Sequence, residues 1–278
     1  MNYRTAVVLS GLLLVVGCQP QAAEHSSVLK LRTDTDAQVP PHVLQLARGD
    51  HVALLKEGLA KYDALPVKGY TCRFVKREKL GGSLGLEQEV DVKFLGEPFS
   101  VAMVWTKNPP LGDALIYVAG EYKDEKGNSR MLVRPKPAFQ WLVGKSVLKA
   151  PDGPDAMRSS LRPVTKFGFR NGLESLLEVY EQAQASGECK MRYSGVTDVG
   201  GRKCVVLTRI LPKGKDYPAK VTETCIDVET LLPLRIVGYD WDNSLLCNYE
   251  YHDVKLNPGL QAKDFTPQAN GIAPPKKK

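Results

Sequence analysis

The chain has 278 residues, of which 43% are hydrophobic, so it can bury the core of one large domain or of two small ones. Lys, Arg, Asp and Glu make up 25% of the residues and leave a net charge of +7, which is spread along the chain rather than concentrated in one basic patch. These values argue against a nucleic-acid-binding protein. A mildly basic surface still favours an anionic membrane face, by about 1 kcal/mol for each well-placed Lys or Arg.

Residues 1–17 have the features of a bacterial lipoprotein signal peptide. Arg4 precedes an apolar run over residues 6–17, which is too short to span the roughly 30 Å core of a bilayer as a helix. The run ends in Val-Val-Gly-Cys, which resembles a lipobox and predicts that Cys18 is diacylated and becomes the new N-terminus. The alternative is an ordinary signal peptide cleaved near Ala22-Ala23. Both predict export, and two or three acyl chains on Cys18 predict a stable membrane anchor.

The residues that flank the predicted domain suggest where the protein lies. Gln19 stands where an aspartate retains some bacterial lipoproteins at the inner membrane, so the outer membrane is slightly favoured, with the protein facing the periplasm.

Residues 18–41 are polar and end in paired prolines, which predicts a flexible tether to a domain over residues 42–266. Residues 267–278 are rich in Pro and Lys, which predicts a disordered basic tail.

The five cysteines beyond the lipobox become disulfide candidates in an oxidising compartment, and their odd number leaves at least one unpaired. Cys204 and Cys225 lie symmetrically about Gly214-Lys215, the expected tip of a hairpin. We therefore expect them directly opposite each other on adjacent strands, as the first candidate pair. Cys72 and Cys247 are a second candidate pair. Zinc is the competing interpretation, but no CxxC or CxxH spacing exists, so no metal site is predicted.

Two segments have the periodicity of amphipathic helices. The first covers residues 42–65, with apolar residues at steps of three and four and a break at which Asp50 caps the second part. The second covers residues 171–185, with Asn171 as N-cap and Glu174 three residues later, as in a capping box. The remaining periodic segments alternate as strands do, so the sequence predicts a mainly β protein of the α+β class with about ten strands and two helices.

Residues 70–105 are predicted to form three antiparallel strands, separated by Gly81-Gly82 and by Glu97-Pro98. A one-residue bulge at Glu97-Pro98 would turn the third strand over. Residues 135–154 are irregular but apolar, which fits either a buried strand or a mobile flap. Without a bulge, one face of the three strands is apolar and is the candidate lining of a cavity, through Val90, Val92, Phe94, Phe99, Val101, Met103 and Trp105.

Six segments carry a family resemblance: YTCRFVKREKLGGSLGLEQEVDVKF, EPFSVAMVW, GDALIYVAG, PVTKFGFRNGLE, IDVETLLPLRIVGYDW and YEYHDVKLNPGLQAKDF. Through them, residues 62–265 resemble the bacterial domain-of-unknown-function family 1571 (DUF 1571). That family in turn resembles the periplasmic lipoprotein-carrier superfamily of the LolA and LolB type. The resemblance implies a curled antiparallel half-barrel, with helices over its open side and an apolar concavity that takes up acyl chains. The predicted anchor at Cys18 is more similar to the superfamily's membrane-bound receptors than to its soluble carriers.

No pattern of the GxSxG, HExxH, GxGxxG or P-loop type occurs, so neither a catalytic residue nor a cofactor is predicted. Lys76 and Arg77 are either part of an exposed strand end with weak ion pairs or a rim that contacts lipid headgroups. We expect non-catalytic binding of lipid or lipoprotein acyl chains, because burial contributes about 0.8 kcal/mol per methylene without specific polar contacts. The alternatives are an envelope sensor or scaffold that binds another protein and, less favoured, a hydrolase.

Overall fold

The computed structural model describes residues 36–66 and 68–274, so Cys18 and the rest of the predicted signal peptide lie outside the described residues. The helices are α1 (Pro41–Gly49), α2 (His51–Asp63), α3 (Pro137–Val143), α4 (Pro154–Met157) and α5 (Phe169–Ala185). The strands are β1 (Gly69–Leu80), β2 (Ser83–Leu84), β3 (Gln88–Leu95), β4 (Ser100–Lys107), β5 (Gly112–Val118), β6 (Met131–Pro135), β7 (Val147–Lys149), β8 (Lys190–Val199), β9 (Arg202–Ile210), β10 (Val221–Asp227), β11 (Pro233–Tyr239) and β12 (Leu245–Leu256).

The strands form one antiparallel sheet in the order β7-β6-β5-β4-β3-β1-β12-β11-β10-β9-β8, with β2 paired to β1 alone. Strands β7 and β8 are its two edges, so within the described residues the sheet is curled but not closed into a barrel. The predicted fold class is confirmed. The described part of the chain holds twelve strands rather than about ten, partly because β2 and β7, with two and three residues, are too short to show a periodicity.

The register of β3 and β4 keeps the predicted apolar residues on one face. In this pair the bulge lies beside Val90 and not at Glu97-Pro98, so the third strand is not turned over. Opposite residues of an antiparallel pair share a face, and the facing pairs are Val90 with Trp105, Val92 with Met103 and Phe94 with Val101.

The hairpin of β9 and β10 does not place Cys204 opposite Cys225. Its axis lies one residue beyond the predicted position, so Cys204 pairs with Asp227, and Cys225 pairs with Val206. The expectation that the two cysteines face each other directly was therefore wrong, and both are free thiols in the structure. Burial raises the pKa of Cys225 to about 12, which keeps that thiol protonated.

The second candidate pair is also far from bridging geometry. Cys247 on β12 lies opposite Glu78 on β1, six residues along that strand from Cys72. At about 3.4 Å per residue this places the two Cα atoms about 20 Å apart along the sheet, far beyond the limit of about 7 Å for a disulfide. Both cysteines are free thiols.

The first predicted helix and its break are confirmed, because the Asp50 side chain accepts a hydrogen bond from the Ala53 amide at 2.9 Å and caps α2. The predicted cap of α5 was wrong. Gly168 is the N-cap residue, and Asn171 lies inside the first turn. The side-chain amide of Asn171 donates a hydrogen bond to the Phe167 carbonyl oxygen at 2.9 Å. Gly168 has a φ of +114°, a conformation that an L residue rarely adopts.

Both ends of the described chain pack more closely than predicted. Val39, placed in the flexible tether by the sequence, is buried. Tyr193 donates a hydrogen bond to Asp36, which ties the same segment to β8. Ile272, placed in the disordered tail, is buried with Phe265 against the convex face of β3 to β6. The folded unit in the structure is therefore longer at both ends than residues 42–266.

Candidate functional site

A cavity of about 750 Å³ lies between the concave face of the sheet, α5 and residues 137–168, which we call the cover segment. Ligand sites in proteins range from about 300 to 1,000 Å³, so the cavity has the size of a binding site. Most of its wall is apolar. The sheet contributes Phe74, Leu115, Met131, Val133, Ile236, Tyr249 and Tyr251, and the cover segment contributes Phe139, Leu142, Val143, Val147, Leu161, Val164 and Phe167.

Three of the seven predicted lining residues line this cavity, namely Val90, Met103 and Trp105. The other four belong to the packed core further along the same strands, where α5 and the residues before it fill the space. There the Phe94 ring lies 4.8 Å from the Tyr70 ring, 5.5 Å from Phe99 and 6.3 Å from Phe167, measured between ring centroids. Val92 and Val101 are buried in the same cluster.

A wall of aromatic residues from β1 and β12 is the main part of the lining that sequence reasoning did not assign. The Phe74 ring centroid lies 4.9 Å from that of Tyr251 and 5.8 Å from that of Tyr249, and all three side chains line the cavity. Tyr249 and Tyr251 alternate along β12, a signal that marks a shared face but does not distinguish a core from a cavity.

Lys76 and Glu78 form a buried ion pair in the cavity wall rather than an exposed strand end. Only 6% of Lys76 and 5% of Glu78 is exposed, and the Lys76 Nζ lies 2.9 Å from Glu78 Oε2. Glu78 Oε1 also accepts hydrogen bonds from the Tyr249 hydroxyl at 2.6 Å and from the Leu161 amide at 3.2 Å. Burial, with Cys247 and Glu78 nearby, raises the pKa of Tyr249, so its hydroxyl remains a donor. The pair therefore fastens the cover segment to the sheet.

Arg77 lies outside this group, so the structure does not bring the two predicted headgroup-contacting residues together. Adjacent residues of a strand point to opposite faces, and Arg77 Nε donates to the Gly85 carbonyl oxygen at 2.9 Å, beside the β1–β2 turn. Lys76 lines the cavity, and Arg77 does not.

Arg209 is a second buried charge in the wall, on β9 at the other side of the cavity. It is 2% exposed, and its guanidinium lies over the Tyr180 ring at 4.8 Å from the centroid. Its Nη1 lies 3.4 Å from the Leu176 carbonyl oxygen and its Nη2 3.2 Å from the Thr222 hydroxyl. Burial lowers the pKa of Arg209, and among the described residues the ionisable groups that act on it are Tyr180 and Cys189, not an Asp or a Glu.

The cover segment contains helices α3 and α4 and the short strand β7. From the sequence, residues 135–154 fitted either a buried strand or a mobile flap. Helix α3 follows Lys136 and is capped at its C-terminus by Gly144, and it exposes apolar side chains beside the cavity. Trp141 is 83% exposed and Leu142 is 67% exposed. Phe139, Leu142 and Val143 also line the cavity, so this exposed apolar surface is continuous with the cavity wall.

The sequence matches the family described as "Protein of unknown function (DUF1571)" over residues 67–272, which is more than half of the chain. The chain belongs to the DUF1571 family. The family resemblance inferred from the sequence segments is thereby confirmed. No curated protein matches this DUF1571 sequence. Within residues 36–66 and 68–274, no helix of the DUF1571 protein has the length and apolar character needed to cross a membrane.

Several solved structures are similar to the DUF1571 protein at low sequence identity. A crystal structure of a DUF1329 family protein from Desulfovibrio piger has 14% identity and a TM-score of 0.39, with 78% of this chain and 98% of that chain covered. The Mycobacterium tuberculosis lipoprotein LppX has 12% identity and a TM-score of 0.42, over 76% and 96%. The MucA/MucB complex of Pseudomonas aeruginosa has 15% identity and a TM-score of 0.42, over 77% and 60%.

Proposed function

We propose that this protein is a non-catalytic lipoprotein of the cell envelope that binds lipid or lipoprotein acyl chains. The observation that carries the proposal is the apolar cavity of about 750 Å³ beneath the cover segment. Each buried methylene contributes about 0.8 kcal/mol, so ten methylenes contribute about 8 kcal/mol before the costs of association are subtracted. Such a cavity selects for length and apolar surface rather than for a specific arrangement of polar atoms.

The proposal places the protein on a membrane through acylation of Cys18, facing the periplasm and with the outer membrane favoured. Its support is the lipobox-like sequence that ends at Cys18 and the glutamine that follows it. The test is fractionation of cells that express Cys18→Ser. The variant is expected in the soluble periplasmic fraction, whereas a variant that remains in the membrane fraction would contradict the anchor.

Lipid binding is tested with the full chain carrying Cys18→Ser, which needs no detergent. Native mass spectrometry is expected to find a co-purifying species of lipid mass. Val133→Trp places an indole in the cavity, because Val133 lines it, and is expected to weaken palmitate binding about tenfold. Asp91→Trp, on an exposed position of β3, is the matched control and is expected to bind normally. An empty protein that binds no palmitate would reject the proposal.

The exposed apolar surface of α3 favours a second candidate, in which the protein is a sensor or scaffold that binds another envelope protein. A surface with side chains such as Trp141 and Leu142 beside each other marks an interaction site more often than a bare solvent face. A photo-reactive residue at position 141 tests this in intact cells. Adducts with one specific protein would support the second candidate, and adducts with lipid alone would reject it.

A further inference from the structure

We propose that the Arg209 side of the cavity binds the anionic group, a carboxylate or a phosphate, of an acyl-chain ligand. The inference rests on the proposed function and makes it more specific, since it gives the ligand a charge and an orientation. It follows from the position of Arg209, from its contacts and from the residues between it and the buried ion pair of Lys76 and Glu78.

Arg209 is one end of a single row of residues across the sheet. The strand registers place Arg209 opposite Thr222, Thr222 opposite Gly238, Gly238 opposite Cys247 and Cys247 opposite Glu78. All five residues line the cavity. The row crosses four strand spacings of about 4.8 Å, or about 19 Å along the sheet. An acyl chain spans one leaflet, half of the roughly 30 Å hydrocarbon core, so the row is long enough to accommodate such a chain.

The middle of the row is shallow in side chains, which leaves room for a ligand. Thr222 and Cys247 are small, and Gly238 has no side chain between them. A Cβ added at Gly238 would lie 2.9 Å from the Cys247 sulfur and 3.7 Å from the Ala219 Cβ, so these two small side chains lie against the glycine, and neither of them is larger than cysteine. The row from Arg209 to Glu78 therefore forms a trough, with small residues in the middle and a charged residue at each end.

The two ends differ in how their charges are satisfied. Glu78 has Lys76 at 2.9 Å and three further donors, so that end is a neutralised pair. Arg209 has only neutral oxygens near its two terminal nitrogens, at 3.4 and 3.2 Å, and its buried Nε has no hydrogen-bond partner among the described residues. A buried charge without a counterion is costly, and a ligand anion would supply both the counterion and the missing acceptor.

Guanidinium geometry suits such a ligand. The Nε–H and one terminal N–H group form a fork that matches the two oxygens of a carboxylate or a phosphate. The contact with the Tyr180 ring holds the guanidinium plane in place beside the cavity. We expect the anion at Arg209 and the acyl chain along the trough towards the aromatic wall of Phe74, Tyr249 and Tyr251.

The test compares three ligands with the same sixteen-carbon chain: palmitate, hexadecyl phosphate and the uncharged hexadecanol. Each displaces the neutral fluorescent probe N-phenyl-1-naphthylamine from the full chain carrying Cys18→Ser. At least one of the two anionic ligands is expected to bind about tenfold or more tightly than hexadecanol, as expected for hydrogen bonds to a charged group. A preference for palmitate alone indicates a carboxylate ligand, and a preference for hexadecyl phosphate indicates a phosphate headgroup. Hexadecanol binding as tightly as both anions would overturn the inference and leave the proposed function intact, whereas failure of all three to bind would reject the proposed function itself.

Substitutions of Arg209 then test whether this residue causes the preference for an anionic ligand over hexadecanol. Arg209→Gln is expected to lose the preference for the anion and to bind hexadecanol as before, and Arg209→Lys is expected to retain part of the preference. Arg192→Gln, on an exposed position of the neighbouring strand β8, removes the same charge and is expected to change nothing. Equal weakening of all three ligands by Arg209→Gln would mean that Arg209 only holds α5 in place, and would overturn the inference. If Arg209→Gln does not fold, the comparison of the three ligands on the protein that retains Arg209 still tests the inference.

Discussion

The concave face of the sheet has two ends that are built from the same strands and filled in different ways. At the packed end, Tyr70 lies between Phe94 and Phe169, with centroid distances of 4.8 and 4.7 Å, and helices α2 and α5 cover the rings. At the cavity end, Val90 and Met103 line the cavity of about 750 Å³ beneath the cover segment. The two ends are only four residues apart along β3, from Phe94 to Val90.

The difference shows that the sheet does not decide where the cavity lies. Both ends present alternating apolar side chains on one face, and the elements laid over that face are what differ. Helix α5 presents Phe169, Leu173 and Leu177, which are buried against the packed end. The cover segment places side chains such as Phe139 and Leu142 at the cavity, where they remain partly exposed. The packed end therefore supplies stability, and the cavity end leaves apolar surface that no side chain of the described chain covers fully.

Substitution of Phe169 by alanine is expected to produce the largest effect. The ring is fully buried between Tyr70 and Tyr251, so Phe169→Ala is expected to destabilise the fold by about 4 kcal/mol, from the lost burial and the cavity left behind. The control is Phe139→Ala at the cavity end, where the ring is 42% exposed and the expected cost is about 1 kcal/mol. Urea unfolding measures both. Equal costs would mean that the two ends do not differ in packing.

The buried ion pair is the place where the cavity end is expected to be as sensitive as the packed end. Lys76→Met leaves the Glu78 carboxylate buried without its cation, at a cost of about 3 kcal/mol. The double variant Lys76→Met, Glu78→Gln removes both charges and keeps an acceptor for Tyr249 and Leu161, so its cost is expected to be about 1 kcal/mol. A double variant that is less stable than Lys76→Met in urea unfolding would show that the charge is not the cause.

Substitutions at Gly168, which precedes α5, and at Gly144, which follows α3, compare how tightly the chain is packed at these two helix ends. A Cβ at Gly168 would lie 2.8 Å from the Phe94 ring, and the φ of +114° is strained for any other residue, so Gly168→Ala is expected to cost about 2 kcal/mol. At Gly144 φ is +92°, but the nearest atom to the added Cβ is 3.8 Å away, so Gly144→Ala is expected to cost about 1 kcal/mol. Thermal unfolding compares the two, and a larger cost at Gly144 would contradict the assignment of tight packing to the α5 side.

The same comparison explains which features the sequence predicts. Periodicity predicts that Phe94 and Val90 share a face, and turn chemistry predicts the cap at Asp50, because both depend on residues close in the chain. Whether that face is filled depends on α5 and the cover segment, which join the sheet from 40 or more residues away in sequence. The disulfide prediction failed for a related reason, since the loop between β9 and β10 sets the register and its asymmetry is not visible in the spacing of Cys204 and Cys225.

The sequence also did not predict that two charged residues are buried in the cavity wall, and the reason is again physical. Lys76 and Arg209 both stand in strand-like runs, where a basic residue ordinarily marks the solvent face. Their burial depends on elements that join the sheet from elsewhere in the chain, through Ser160 for Lys76 and through Tyr180 and Thr222 for Arg209. One sequence signal was available, because Lys76 and Glu78 are two residues apart on β1 and lie in phase with the buried Phe74.

The smallest effect is expected at Trp141, and it tests whether the cover segment is as open as the structure has it. The side chain is 83% exposed on α3, so Trp141→Ser is expected to change the free energy of unfolding by less than about 0.5 kcal/mol. Trp105→Ser is the matched control, because that indole lines the cavity and donates to Gln88 at 2.8 Å, and its loss is expected to cost about 2 kcal/mol. Urea unfolding measures both variants. A cost at Trp141 equal to that at Trp105 would mean that α3 packs onto the fold in solution, and the cavity would then be closed on the side where its apolar wall now reaches the surface.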